Sequence, residues 1–186
     1  MARPATLSEI EMSYAPPIVS EFTIVIDSRE QLPYPFTGLM ADARQKYKVI
    51  LVPTEVKTLK TGDYSLRGYE DEVCVERKSK ADLFTTLSRR RDAFEDEHRR
   101  MARMKVAAVV VEADWREILT APPPGSALPP ANIYRTVISW MARYRVPWFL
   151  CGDTGIPGLG ARRFAEITTF RILEKFYKHF GEERGY

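Results

Sequence analysis

The sequence predicts an α/β fold, a mixed β-sheet of about five or six strands flanked by helices. Two observations predict it. Short β-branched runs, at Phe22–Asp27, Glu72–Lys78 and Val106–Glu112, alternate with stretches whose apolar residues recur at helical spacing. The composition, 45% hydrophobic and 28% charged over 186 residues, suits one domain of ordinary size with a proper core.

Residues 1–20 mix Pro4, Pro16 and Pro17 with polar side chains and are expected to be an irregular arm, with 21–186 forming the domain: a core at 22–114, then helices and a last strand at 131–180. In Phe22–Asp27 the side chains of Phe22, Ile24 and Ile26 alternate with Thr23, Val25 and Asp27, which puts Asp27 at a strand end. A short helix is expected around Leu39–Lys46 and a second strand at Tyr47–Val52. Residues 55–66 then carry a Gly62-Asp63 turn between short strands, and these neighbours are expected to pair antiparallel, as a meander.

After the central strand, Ser79 is placed to cap a helix with Leu83, Phe84 and Leu87 on its apolar face. The next helix, about 92–104, has acidic residues first and basic ones last, which complements its dipole. Val106–Glu112 is a continuous β-branched run, expected to be buried on both faces and parallel to a neighbour. Trp115–Thr120 reads as a short helix, and 121–131, with five prolines, as a loop near the substrate or a linker. Asn132 is the expected cap of a helix reaching Tyr144, Val146–Cys151 the last strand, and Gly160–Phe180 a final aromatic-rich helix.

The chemistry concentrates in Val73–Asp82. Strand alternation points Glu76 and Lys78 to one face and Arg77 to the other. A carboxylate and an ammonium two residues apart can hold a divalent ion with a water beside it, and Asp63 offers a second carboxylate. Together Asp63, Glu76 and Lys78 fit the D…(D/E)xK constellation of metal-dependent nucleases. An isolated E-x-K on a strand is commonly a solvated pair. Here the string is longer. Gly62-Asp63, then Glu76-Arg77-Lys78 and Asp82, with Asp27-Ser28-Arg29-Glu30 upstream and Arg91 followed by Phe94-Glu95-Asp96-Glu97 downstream, resembles the nuclease domain of XPF-type structure-selective DNA endonucleases.

That resemblance implies a restriction-endonuclease-like core and hydrolysis of DNA near branches, flaps or junctions. It implies Asp63 and Glu76 as ligands of Mg²⁺ or Mn²⁺, with Asp27 joining them directly or through water, and Lys78 beside the attacking water. Arg77 takes a structural or phosphate-directed role and Asp82 anchors the helix start or a basic neighbour. Arg29, Lys80, Arg89, Arg90 and Arg91 are the expected DNA contacts, with Arg29 and Arg91 as phosphate clamps. The implied partners are DNA, a second copy of the chain, and a helicase or other DNA-processing protein. The competing reading is a catalytically silent, DNA-binding subunit, and RNA is the alternative substrate.

Charge distribution agrees with a nucleic-acid partner: residues 77–105 hold ten Lys or Arg against five Asp or Glu, while the whole chain carries +3. Cys74 and Cys151 have no C-x-x-C partner, so neither a zinc site nor a disulfide framework is expected. His98 and His179, in charged helical surroundings, are expected to take no catalytic part. No apolar run reaches a membrane span and the start has no secretory core, so an intracellular, non-membrane location is expected. Gly155–Gly160 is similar to the hairpin of a helix-hairpin-helix module, but a strand is expected before it, not a helix.

Overall fold

The computed structural model describes residues 16–41 and 48–181. Their strands are β1 (Ile18–Val19), β2 (Ile24–Asp27), β3 (Leu39–Met40), β4 (Val49–Leu51), β5 (Thr54–Lys57), β6 (Tyr64–Leu66), β7 (Val73–Ser79), β8 (Val106–Glu112) and β9 (Trp148–Leu150). The helices are α1 (Lys80–Arg89), α2 (Arg91–Met101), α3 (Trp115–Thr120), α4 (Pro130–Tyr144) and α5 (Ala161–Phe176), which runs on into a π-helical turn at Tyr177–Gly181.

Six strands make the main sheet in the order β5-β2-β6-β7-β8-β9. It is mixed: β6 runs antiparallel to β2 and β7, whereas β7, β8 and β9 are mutually parallel. The β-branched run of β8 lies between two parallel partners, where both its faces are covered. The expected antiparallel meander holds only around β6, because β5 pairs parallel with β2. Strands β3 and β4, which lie between them in sequence, form a small sheet with β1 in the order β1-β4-β3, and this draws the end of the arm, Ile18–Val19, into strand pairing. The helix expected at Leu39–Lys46 begins instead as β3, and 42–47 lie outside the described residues, as do 1–15 of the arm.

Helices cover both faces. On one, α5 sends Phe170, Leu173 and Phe176 against Ile24, Tyr64, Val73 and Val75. On the other, Leu83 and Leu87 of α1, Phe94 of α2 and Ile133 and Trp140 of α4 pack on Cys74, Val109 and Val111. Each such side chain contributes about 1.5–3 kcal/mol by leaving water. Their alternation along β7 and β8 fixes which face every charged residue at the strand ends must take.

Ser79 caps α1, its hydroxyl accepting from Asp82 N at 3.1 Å. Asp114 and Glu117 close a reciprocal capping box on α3. The cap expected at Asn132 lies three residues earlier: Pro129 is the extended cap and Pro130 opens α4, a position where the missing N–H costs nothing. Gly155–Gly160 is a turn between β9 and α5, not a hairpin between helices. Among the described residues no helix is long and apolar enough to cross a membrane.

Candidate active site

Along β7, Val73 and Val75 join the α5-side core and Cys74 the other. The same alternation turns Glu76 and Lys78 toward α1 and α2, and Arg77 toward α5. Glu76 and Lys78 are 4% and 8% exposed, and Lys78 Nζ lies 2.5 Å from Glu76 Oε1. The ammonium also reaches Asp82 Oδ2 at 3.2 Å and sits 4.7 Å above the Phe94 ring.

Asp63 arrives from the turn before β6. Gly62 has φ +77, and a Cβ there would stand 2.8 Å from the Cβ of Cys74, so only glycine lets the turn lie against β7. Asp63 N then donates to the Val75 carbonyl (3.0 Å) and Arg77 N to Asp63 Oδ2 (2.7 Å). From α2, Glu97 Oε1 accepts from Gly62 N at 3.2 Å.

Burial raises the pKa of Asp63 to about 7; Lys78 and the Arg77 N–H oppose the rise, while Glu30 and Glu97 add to it. Burial, then the charge of Asp63, lifts Glu76 well above the usual carboxylate range as well. Burial works against the charge of Lys78, but Glu76 and Asp82 outweigh it and hold the ammonium protonated. One cation thus serves the buried Glu76 and the half-buried Asp63.

Asp27 is not brought into this pair, although β2 ends beside the turn through Asp27 N and the Asp63 carbonyl. Asp27 is 2% exposed and both its carboxylate oxygens are spent: Oδ1 on the Arg29 N–H and Nε, Oδ2 on Arg29 Nη2 and Leu59 N, all within 3.0 Å. These donors, led by Arg29, override burial and lower its pKa. Arg77 likewise differs from a catalytic group. Its guanidinium forks onto Glu112 at 2.8 and 3.0 Å, reaches Glu30 at 3.3 Å and lies over Tyr34, which itself donates to Glu112. Arg77 also bears on Asp63, through its backbone N–H.

The family model of the ERCC4 domain matches residues 26–154, a stretch that holds all of these groups. The chain belongs to the ERCC4 domain family. Members of this family are generally DNA nucleases, and some are inactive. In fold the chain is similar to XPF from Aeropyrum pernix, 16% identical with a TM-score of 0.57 over 87% of this chain and 68% of that one. It is also similar to a structure of XPF from Aeropyrum pernix in complex with DNA, at 16% identity and a TM-score of 0.56 over 85% and 66%. The chain thus spans about two thirds of the length of those chains. No curated protein matches the sequence significantly.

In this ERCC4 domain two depressions open beside Lys78. One, of about 380 Å³, holds Asp63, Arg77, Ser79, Asp82 and Glu30 in its wall; the other, of about 230 Å³, holds Glu97, Phe94, Lys60 and Arg100. Arg29, Lys78 and Arg90 line both. Asp82 is the anchor of basic neighbours, binding Lys78 and also Arg90 at 3.0 Å. Arg91 donates to Thr136 Oγ1 at 2.7 Å and lies over Trp140, tying α2 to α4. Lys80 and Arg89, both on α1, are not among the residues lining either depression.

Sequence reading missed Glu97, Glu30 and Glu112 as members of this cluster. For Glu97 a signal existed, since it follows Phe94 by three positions and therefore shares the helix face turned to the sheet. Glu30 stood in the Asp27-Ser28-Arg29-Glu30 string without a role assigned to it, and Glu112 carried no signal, because its role depends on tertiary pairing with Arg77.

Proposed function

We propose that this chain is a divalent-metal-dependent DNA endonuclease that cuts near branched, flap or junction DNA. The observation that carries it is the under-compensated pair Asp63 and Glu76 beside Lys78, at a mouth ringed by Arg29 and Arg90. Among the described residues no three His, Cys, Asp or Glu groups are gathered, and this reading takes Asp63 and Glu76 as the donor set. The pair fits a hard cation: both donors are carboxylate oxygens, and a small divalent ion of the Mg²⁺ or Mn²⁺ type keeps waters in its remaining positions. A bound ion would neutralise phosphoryl oxygens and acidify a water.

The protein's own groups do the rest. Lys78, held charged between Glu76 and Asp82, presents a proton donor and positive charge to a phosphoryl oxygen or to the attacking water. The Arg29 side chain, 69% exposed although paired with Asp27, offers the far edge of its guanidinium to a phosphate. No group here reads base edges, so selectivity rests on DNA shape.

A homodimer belongs to the same reading. An apolar groove of about 580 Å³ runs between edge strand β9 and α5, lined by Phe149, Phe164, Ile167, Ile172, Phe176 and Phe180. Phe149 and Phe164 are 39% and 37% exposed. A second copy would cover this face and the open strand edge together.

The test is cleavage of a labelled fork, linear duplex, single strand and RNA of one sequence, with Mg²⁺, with Mn²⁺ and with chelator. Metal-dependent cutting of the fork is the expected result. Tight binding without cutting would make the chain a silent DNA-binding subunit, and preference for RNA would change the substrate.

A further inference from the structure

The smaller depression beside Lys78 holds more cation than its neighbourhood neutralises. Arg29, Lys60, Lys78, Arg90 and Arg100 line it, and Glu97 is its single carboxylate. Glu97 already spends Oε1 on Gly62 N. Lys78 is matched by Glu76, Arg29 by Asp27 and Arg90 by Asp82. Lys60 has only Asp71, in a pair whose side chains are 83% and 75% exposed, an arrangement that water and salt weaken.

Arg100 has no carboxylate at all among the described residues. Its Nε donates to Thr61 Oγ1 at 3.2 Å, and its two terminal nitrogens are without a partner there. Thr61 is 2% exposed and directly precedes Gly62-Asp63, so the turn that delivers Asp63 also fixes the stem of this guanidinium. A planar fork with its terminal nitrogens unpaired, over a cationic depression, is built for an oxyanion of tetrahedral shape.

Charge and position name the anion. The two depressions share Arg29, Lys78 and Arg90 as a common wall, with Asp63 on one side and Arg100 with Lys60 on the other. A strand whose reacting phosphate sits on the Asp63 side has that wall, and the depression beyond it, next to its reacting linkage. We infer that the depression lined by Arg100 and Lys60 is a second phosphate subsite, which takes a non-reacting phosphodiester of the cleaved strand adjacent to the scissile one. The inference rests on the nuclease reading and adds to it the register in which the strand is held.

The experiment uses the full chain, with binding to a forked DNA measured in Ca²⁺ across a range of salt. Arg100→Ala and Lys60→Ala should each lower the slope of log Kd against log salt by about 0.9 if one phosphate contact is lost, and weaken binding about tenfold at low salt. Arg100→Lys should restore the slope, because charge rather than shape sets it. Melting temperatures of the variants check that they fold.

A methylphosphonate placed at each linkage around the mapped cut then locates the contact. At one linkage next to the cut it should weaken wild type and leave Arg100→Ala unaffected. If Arg100→Ala keeps the wild-type slope, or is as sensitive as wild type at every linkage, the subsite is wrong while the nuclease reading stands. If wild type neither binds nor cuts DNA, both fall.

Discussion

Arg77 holds Asp63 with its backbone and Glu112 with its side chain: the main-chain N–H donates to Asp63 Oδ2 at 2.7 Å while Nε donates to Glu112 Oε1 at 2.8 Å. One residue at the end of β7 therefore fastens the candidate site on one sheet face and the α5-side layer on the other. Arg162 of α5 joins the same knot, reaching Glu112 at 3.2 Å and the Leu32 and Pro33 carbonyls.

Breaking that knot should show first in stability. The Arg77 and Glu112 side chains are 10% and 11% exposed, so Glu112→Ala leaves a guanidinium with one weak partner, Glu30. A loss of about 3 kcal/mol is expected, read from the midpoint of urea unfolding. Arg77→Lys should also destabilise, because an ammonium cannot fork onto both Glu112 oxygens. Unchanged midpoints in both variants would show that the network is dispensable.

Asp63→Asn and Lys78→Ala should each abolish cleavage while leaving the fold and much of the DNA binding intact. The first removes charge from the candidate ion site; the second removes the cation that faces both carboxylates. Turnover assays in Mg²⁺ and Mn²⁺, beside melting curves, check this. Near-normal turnover in either variant would reassign that residue.

Much of this arrangement was legible in the chain. Glu76, Lys78 and Asp63 could be placed because strand alternation and one glycine turn decide their directions locally. Ser79 as a cap and β8 as a buried parallel strand followed from equally local rules. Asp27 and Arg77 were harder, since nothing within their own strands says that Arg29 and Leu59 would consume one and Glu112 the other. The direction of β5 was likewise hidden: a short polar strand carries no sign of whether its partner runs parallel. His98 stands amid five charged neighbours from Glu95 to Arg100, yet it points inward from α2 and is wholly buried.

His98 gives the molecule a pH dependence of its own. Its ring is enclosed by Phe94, Trp140, Tyr144 and Trp148, with Nδ1 against the Phe94 carbonyl at 2.9 Å and Nε2 unpartnered. Burial lowers its pKa from 6.5 to about 4. Between those values the unfolded chain binds a proton that the folded one refuses, so this stabilising contribution is full above pH 6.5 and is lost as pH falls to about 4. The loss is on the order of 3 kcal/mol. Asp63, raised to about 7, acts in the opposite sense, its contribution fading as pH rises, so the test is a difference. Wild type should lose stability relative to His98→Leu between pH 6.5 and 4.5, measured by urea unfolding; parallel profiles would refute it.

The last expectation concerns assembly. Phe149 lies on the edge strand β9 and Phe164 on α5, and both are over a third exposed beside Ile167, Ile172 and Phe180. A single charge placed in such a face costs little in a monomer, because Phe149 already meets water, but it would be buried without a partner in a dimer. Light scattering at micromolar concentration should therefore give about twice the 21.4 kDa of one chain for wild type, and the single-chain mass for Phe149→Glu. The melting temperature of the variant, taken at concentrations where wild type has also dissociated, separates loss of association from loss of fold. Wild type at the single-chain mass would remove the dimer from the proposed function and leave the cleavage reading untouched.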